Sequence, residues 1–157
     1  MKQTTLFDSF VVYAKPAADR ALSPPRAPQE CRLGIIGNRR DIKQDEINEI
    51  FGLMLEDIPP IQSLLVPSDG DLSIYIEQYA EKSKIPIQIF EADWRRDGRR
   101  AQIFRDSRIV RESTHYLIFG APRSQKPLQM AEQLCKKGKN VYYMPHGTME
   151  LQSLATN

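Results

Sequence analysis

Three short segments hold the residues best suited to gripping an anion or a polar ligand: Gly37-Asn38-Arg39-Arg40, Pro67-Ser68-Asp69-Gly70-Asp71 and Gly120-Ala121-Pro122-Arg123-Ser124. Each follows a short apolar run and precedes a stretch with helical spacing. A loop that opens a helix offers unpaired backbone N–H groups and the positive end of the helix dipole, and glycine lets a phosphate come close to that backbone. Arg39, Arg123 and, further along, Arg105 could add bidentate guanidinium contacts. Ser68 and Ser124 stand at phosphate-loop positions, and Asp69 or Asp71 could serve as an acid or a base. The plain alternative is that Gly37 and Gly120 make tight turns and the arginines are solvated; loop composition leaves both readings open. Neither G-x-G-x-x-G nor G-x-x-x-x-G-K-[ST] occurs, which argues against nicotinamide-dinucleotide or nucleoside-triphosphate chemistry.

Ordinary catalytic constellations find little support. His115 opens an apolar run and reads as a core or edge residue, and His146 falls in the terminal stretch. There is no G-x-S-x-G, no paired His–carboxylate spacing and no Cys–His dyad, so no catalytic residue is assigned. Cys31 and Cys135 lie far apart without a metal-ligand neighbour, so no metal is expected and the expected setting is reduced and intracellular, cytoplasmic or nuclear.

The elements that must position these loops follow from periodicity. Apolar runs at 32–37, 61–66, 85–90, 115–119 and 140–144 read as strands. Between them, Ile47, Ile50, Phe51, Met54 and Leu55 define one helical face, and Leu72, Tyr75, Ile76, Tyr79 and Ala80 define another. A polar helix is predicted near 100–113, and Leu128, Ala131, Leu134 and Cys135 give a further helix that stops at Gly138. The alternation predicts an α/β fold, a doubly wound, mainly parallel five-stranded Rossmann-like sheet with right-handed crossovers. In such sheets ligands bind beyond the carboxyl ends of the strands where strand order reverses, which selects the three loops above. The terminal stretch after Met144 reads as either a short closing helix or a frayed tail.

Residues 91–113 carry Arg95, Arg96, Arg99, Arg100, Arg105, Arg108 and Arg111 against five acidic residues. This is either a salt-bridged solvated face or an anion-facing patch near the same sheet edge. Trp94 is expected to be a packing anchor rather than a stacking platform for bases.

The chain divides into a peptide of residues 1–13, a proline- and alanine-rich linker at 14–31 and a domain at 32–157. Its 22 basic residues nearly balance its 20 acidic ones, which excludes coating nucleic acid by bulk charge. No apolar run approaches the ~20 residues needed to span a bilayer, and the first residues do not resemble a secretory signal.

With these segments identified, the domain resembles the SLOG superfamily, the Rossmann-like group that includes the LOG and DprA proteins, and within it the YspA-like branch. The resemblance rests on EADWRRDGRRAQIFRDSRIV, which is similar to that branch's Ala-Asp-Trp, basic stretch and Arg-Asn, with Arg105-Asp106 at the Arg-Asn position. GIIGNRRD at 34–41 and Tyr79-Ala80 with IPIQIF extend it over residues 32–144. The resemblance implies a nucleotide-related ligand at the strand-end loops. The chain departs from the family at VPSDGDLS (66–73) and GAPRSQKP (120–127), where glycine-rich loops would stand, and P-G-G-x-G-T-x-x-E is absent. Those departures favour a non-enzymatic use of the fold.

A second resemblance lies at the start of the chain. Gln3, Leu6 and Phe10 fit the frame of the PIP box that docks on eukaryotic and archaeal sliding clamps, and Gln3 to Phe7 resembles the Q-x-x-L-F peptide that binds bacterial clamps. Glutamine would hydrogen-bond at a pocket while Leu6 and an aromatic, Phe7 or Phe10, enter an apolar groove. The alternative is an N-terminal strand or helix packed on the domain.

The expected function is therefore a non-enzymatic, nucleotide- or nucleic-acid-related SLOG-like module brought to a DNA sliding clamp. The alternatives are a nucleoside-phosphate enzyme resembling LOG phosphoribohydrolases and a DprA-like DNA-binding protein. The expected ligand residues are Gly37, Asn38, Arg39, Ser68, Asp69, Gly70, Asp71, Arg105, Gly120, Arg123 and Ser124, with no cofactor beyond a nucleotide ligand. A homodimer is left open.

Overall fold

The computed structural model describes residues 30–154. Gln3, Leu6, Phe7 and Phe10, and the linker as far as residue 29, lie outside the described residues. In chain order the elements are β1 (Arg32–Ile36), α1 (Gln44–Met54), β2 (Ser63–Pro67), α2 (Asp71–Ser83), β3 (Ile87–Phe90) and α3 (Trp94–Asp97). A 3-10 turn (Gly98–Arg100), α4 (Ala101–Glu112), β4 (His115–Phe119), α5 (Lys126–Lys136), β5 (Asn140–Met144) and β6 (Gln152–Leu154) follow.

The described strands form one six-stranded sheet in the order β3-β2-β1-β4-β5-β6. β1 through β5 are mutually parallel, and β6 runs antiparallel along β5 with Tyr142 opposite Ser153. This is a Rossmann-like α/β fold, as the alternating periods predict. The sheet has one strand more than expected. Gln152–Leu154, where the sequence predicts a closing helix or a frayed tail, pair with the otherwise open edge of β5, whose backbone groups need partners. Cys31, assigned to the linker, belongs to the domain: it is wholly buried and its carbonyl accepts from Gln62 N–H. Burial pushes its thiol up to about 11.

Alternate residues of each strand feed two cores. Leu33, Ile35, Leu64, Val66, Leu117 and Phe119 meet α1 and α2 on one face. Ile36, Leu65, Tyr116, Ile118, Val141 and Tyr143 meet α4 and α5 on the other. The period of two along the strands is what lets one sheet serve both layers. α1 and α2 are locked together by Phe51 and Tyr79, whose rings stack at 4.4 Å and 10°. α4 packs across β1 at closest range over Gly34, where a Cβ would lie 2.2 Å from Ser113 Oγ and 2.9 Å from Ile109 Cγ2. Among the described residues no helix is long and apolar enough to cross a membrane.

Candidate functional site

The chain reverses direction across the sheet between β1 and β4: β1, β2 and β3 run to one side and β4 and β5 to the other. The loops that leave β1, β2 and β4 all emerge at the carboxyl edge of these strands. Close contacts tie them together. A Cβ on Gly37 would lie 2.7 Å from the Phe119 carbonyl oxygen at the end of β4. Gly70, at φ +94°, is pressed against Asn38, where a Cβ would meet Oδ1 at 2.5 Å. Gly120 is buried against the end of β5, with Tyr143 Oη 2.4 Å from the position of its missing Cβ.

At this edge lies a cleft of about 190 Å³ lined by Gly37, Asn38, Asp69, Gln102, Arg105 and Asp106. The helix that supplies three of these, α4, begins at the carboxyl edge and packs back over β1 and β2. Its core-facing stripe is Ala101, Arg105 and Ile109, so a guanidinium occupies a place that helical spacing otherwise gives to an apolar side chain. Arg105 is 5% exposed. Its Nη1 donates to Asp69 Oδ1 and its Nε donates to Asp106 Oδ1 at 2.9 Å. Gln102 Nε2 donates to the second oxygen of Asp69 at 3.1 Å.

One cation is thus held between two carboxylates. Burial raises the Asp106 carboxyl above its ordinary value, and the Asp69 charge adds to that push. Arg105 pulls the other way, by charge and by its hydrogen bond, without reversing the direction. The cleft so arranged repels a phosphate and favours groups that donate hydrogen bonds: carboxylate lone pairs at Asp69 and Asp106, with Asn38 and Gln102 beside them able both to donate and to accept.

The other expected ligand residues are placed as follows. Arg39 is buried, and its Nε donates to Asp41 at 3.2 Å while its Nη1 donates to the Thr148 carbonyl. It fastens the β1 loop to the segment between β5 and β6, and it holds the Asp41 carboxyl below its ordinary value. Ser68 is exposed, with its N–H on the Phe90 carbonyl at 2.9 Å; Asp71 is exposed in the first turn of α2. Arg123 and Ser124 are exposed in a turn closed by an Ala121–Ser124 bridge, and Ser124 Oγ accepts from Lys126 N–H at 3.2 Å. They do not line the cleft. The structure therefore brings Gly37, Asn38, Asp69 and Arg105 into one lining, with Gly70 directly behind Asn38, and leaves Arg39, Ser68, Asp71, Gly120, Arg123 and Ser124 outside it.

Gln102 and Asp106 are not among the expected ligand residues, although the resemblance places Arg105-Asp106 at the Arg-Asn position. The available signal was their spacing: 102, 105 and 106 stand at i, i+3 and i+4, on one side of a helix that opens at the ligand edge. A larger cavity, about 490 Å³, lies at the opposite, amino end of β4 and β5 and is lined in part by Asp57, His115, Lys139 and Ser153. His115 is buried there, with its ring Nδ1 2.8 Å from Thr114 Oγ1, and burial lowers its pKa; it is remote from the cleft. Trp94, expected to anchor packing, is instead 56% exposed on the single turn of α3, none of whose residues is buried. Among the described residues no group of His, Cys, Asp and Glu is arranged to hold a metal ion. No protein-family model, no curated protein and no solved structure matches the chain.

Proposed function

We propose that the chain is a non-enzymatic binding module of SLOG-like type that holds the sugar or base portion of a nucleotide-related ligand and is carried to a DNA sliding clamp by residues 3–10. The observation that carries the ligand half is the cleft of Asn38, Asp69, Gln102, Arg105 and Asp106 at the point where strand order reverses. Its volume of about 190 Å³ is below the ~300 Å³ at which pockets for whole drug-sized ligands begin, so one ring enters and the rest of the ligand stays outside. Carboxylates that already hold Arg105 accept hydrogen bonds from ribose hydroxyls or base amino groups more readily than they tolerate a phosphate.

The ligand half is tested by calorimetry of the full chain with adenosine, guanosine, cytidine and uridine and their 5′-monophosphates. A nucleoside should bind at least as well as its monophosphate, and Asp69→Asn should weaken it by about tenfold, the loss of roughly one charge-assisted hydrogen bond. Silence toward all eight compounds would overturn this half. The clamp half rests on Gln3, Leu6, Phe7 and Phe10. Leu6→Ala with Phe10→Ala should abolish binding to a clamp and leave the thermal melt unchanged; unaltered clamp affinity defeats it.

One observation favours a second reading. Two carboxyl groups, Asp69 and Asp106, share the cleft, the number that acid–base hydrolysis of an N-glycoside employs. Asp69 would take a proton from water as its oxygen bonds to the anomeric carbon, the C–N bond would break, and Asp106 in its acid form would give its proton to the departing base. Chromatography of nucleoside 5′-monophosphates incubated with the protein should then show free base, lost in Asp106→Asn. A screen without product removes this reading and leaves the binding module.

A further inference from the structure

The near-neutral total of +2 conceals two faces of opposite sign. α1 and α2 cover one side of the sheet, α4 and α5 the other. The outward stripes of α1 and α2 are Asp45–Glu49–Leu53 and Ile74–Glu77–Glu81. All six are exposed, with Leu53 at 50% and Ile74 at 51%. On the opposite side α4 exposes Ile103, at 58%, with Phe104 and Arg111, and the segment that leads into it exposes Trp94, Arg95, Arg99 and Arg100. None of these four arginines and none of Asp45, Glu49, Glu77 and Glu81 takes part in an ion pair among the described residues.

Each face therefore mixes uncovered apolar side chains with an excess of one sign of charge, Lys43, Lys82 and Lys84 standing among the acids and Glu91, Asp93 and Glu112 among the arginines, and the two excesses are opposite. We propose that the occupant of the basic α3–α4 face is the acidic α1–α2 face of a second copy of this chain. Apolar side chains on both faces would lose water together, and the charges would set orientation and register. A symmetric dimer through the basic face would set arginine against arginine, and one through the acidic face carboxylate against carboxylate; like-charge contacts of that kind disfavour both. The head-to-tail contact satisfies both faces at once. Because the faces lie on opposite sides of the sheet, each added copy leaves one face open, so assembly extends rather than stopping at two. A nucleic acid would fit the arginines and Trp94 but would leave the exposed Leu53 and Ile74 of the acidic face without a purpose.

Sedimentation velocity of the full chain tests the proposal. Species larger than two chains should grow with protein concentration at about 50 mM salt and recede at about 500 mM. Arg99→Glu with Arg100→Glu should sediment as a monomer, and so should Glu49→Arg with Glu77→Arg; circular dichroism of these exposed-site variants should match the parent. Mixing the two reversed proteins should restore assembly, since each again meets opposite charge. A parent that stays monomeric at low salt overturns the proposal, as does a dimer indifferent to the acidic-face reversal or a mixture that fails to associate. A monomeric parent that shifts a single-stranded oligonucleotide, with the shift lost in Arg99→Glu/Arg100→Glu, would instead assign the basic face to nucleic acid.

Discussion

Arg105 stands on the buried stripe of α4, and its surroundings decide what the cleft can do. Its two carboxylate partners satisfy a guanidinium that burial would otherwise penalise heavily, and in doing so they use up the positive charge that a phosphate would have sought. Arg105→Met should lower stability by about 1–3 kcal/mol, the lower end being set by the half-exposed Asp69, and should push the Asp106 carboxyl further up; chemical denaturation and carboxyl-resolved NMR titration check the two parts. Asp106 also links pH to stability. Its folded-state pKa is raised, so its contribution is fully present below the ordinary carboxyl value and is lost as pH rises through the folded value. Asp106→Asn should remove that loss, flattening the fall in melting temperature on the alkaline side of pH 4; an unchanged slope would show that Asp106 titrates normally.

At the scale of elements, the end of α4 packs closely over β1 where Gly34 has no side chain. Gly34→Val should drive into Ser113 and Ile109 and cost about 1–3 kcal/mol, read as a lowered denaturation midpoint. The stack of Phe51 on Tyr79 couples α1 to α2, and a double-mutant cycle with Leu at both positions should return about 0.5–1.5 kcal/mol of interaction. Helices α1, α2 and α5 and the five parallel strands are legible because their apolar residues repeat or run together, whereas α4 reads only as a polar helix, Arg105 standing on its buried stripe. β6 is not legible: Gln-Ser-Leu is too short and too polar to carry a pattern, and only the open edge of β5 makes a strand of it.

For the whole molecule, charge is arranged rather than accumulated. Static light scattering at low salt should rise as pH approaches the isoelectric value of about 8.5, where net repulsion vanishes while the opposed faces persist, and flat scattering across that range would count against segregated charge as a source of attraction. By itself the sequence determined the fold class, the order of the elements and the edge at which three loops would emerge, since each follows from local periodicity and from the rules that connect parallel strands. It placed Asn38, Asp69 and Arg105 at that edge. Only the tertiary structure decided which groups meet: that Arg105 is claimed by Asp69 and Asp106, that Arg39 turns away to Asp41 and Thr148, and that Arg123 and Ser124 stay outside the cleft. Those pairings join residues up to 109 positions apart, and a side chain's partner at such separation is set by how helices are laid across the sheet, which no local spacing encodes.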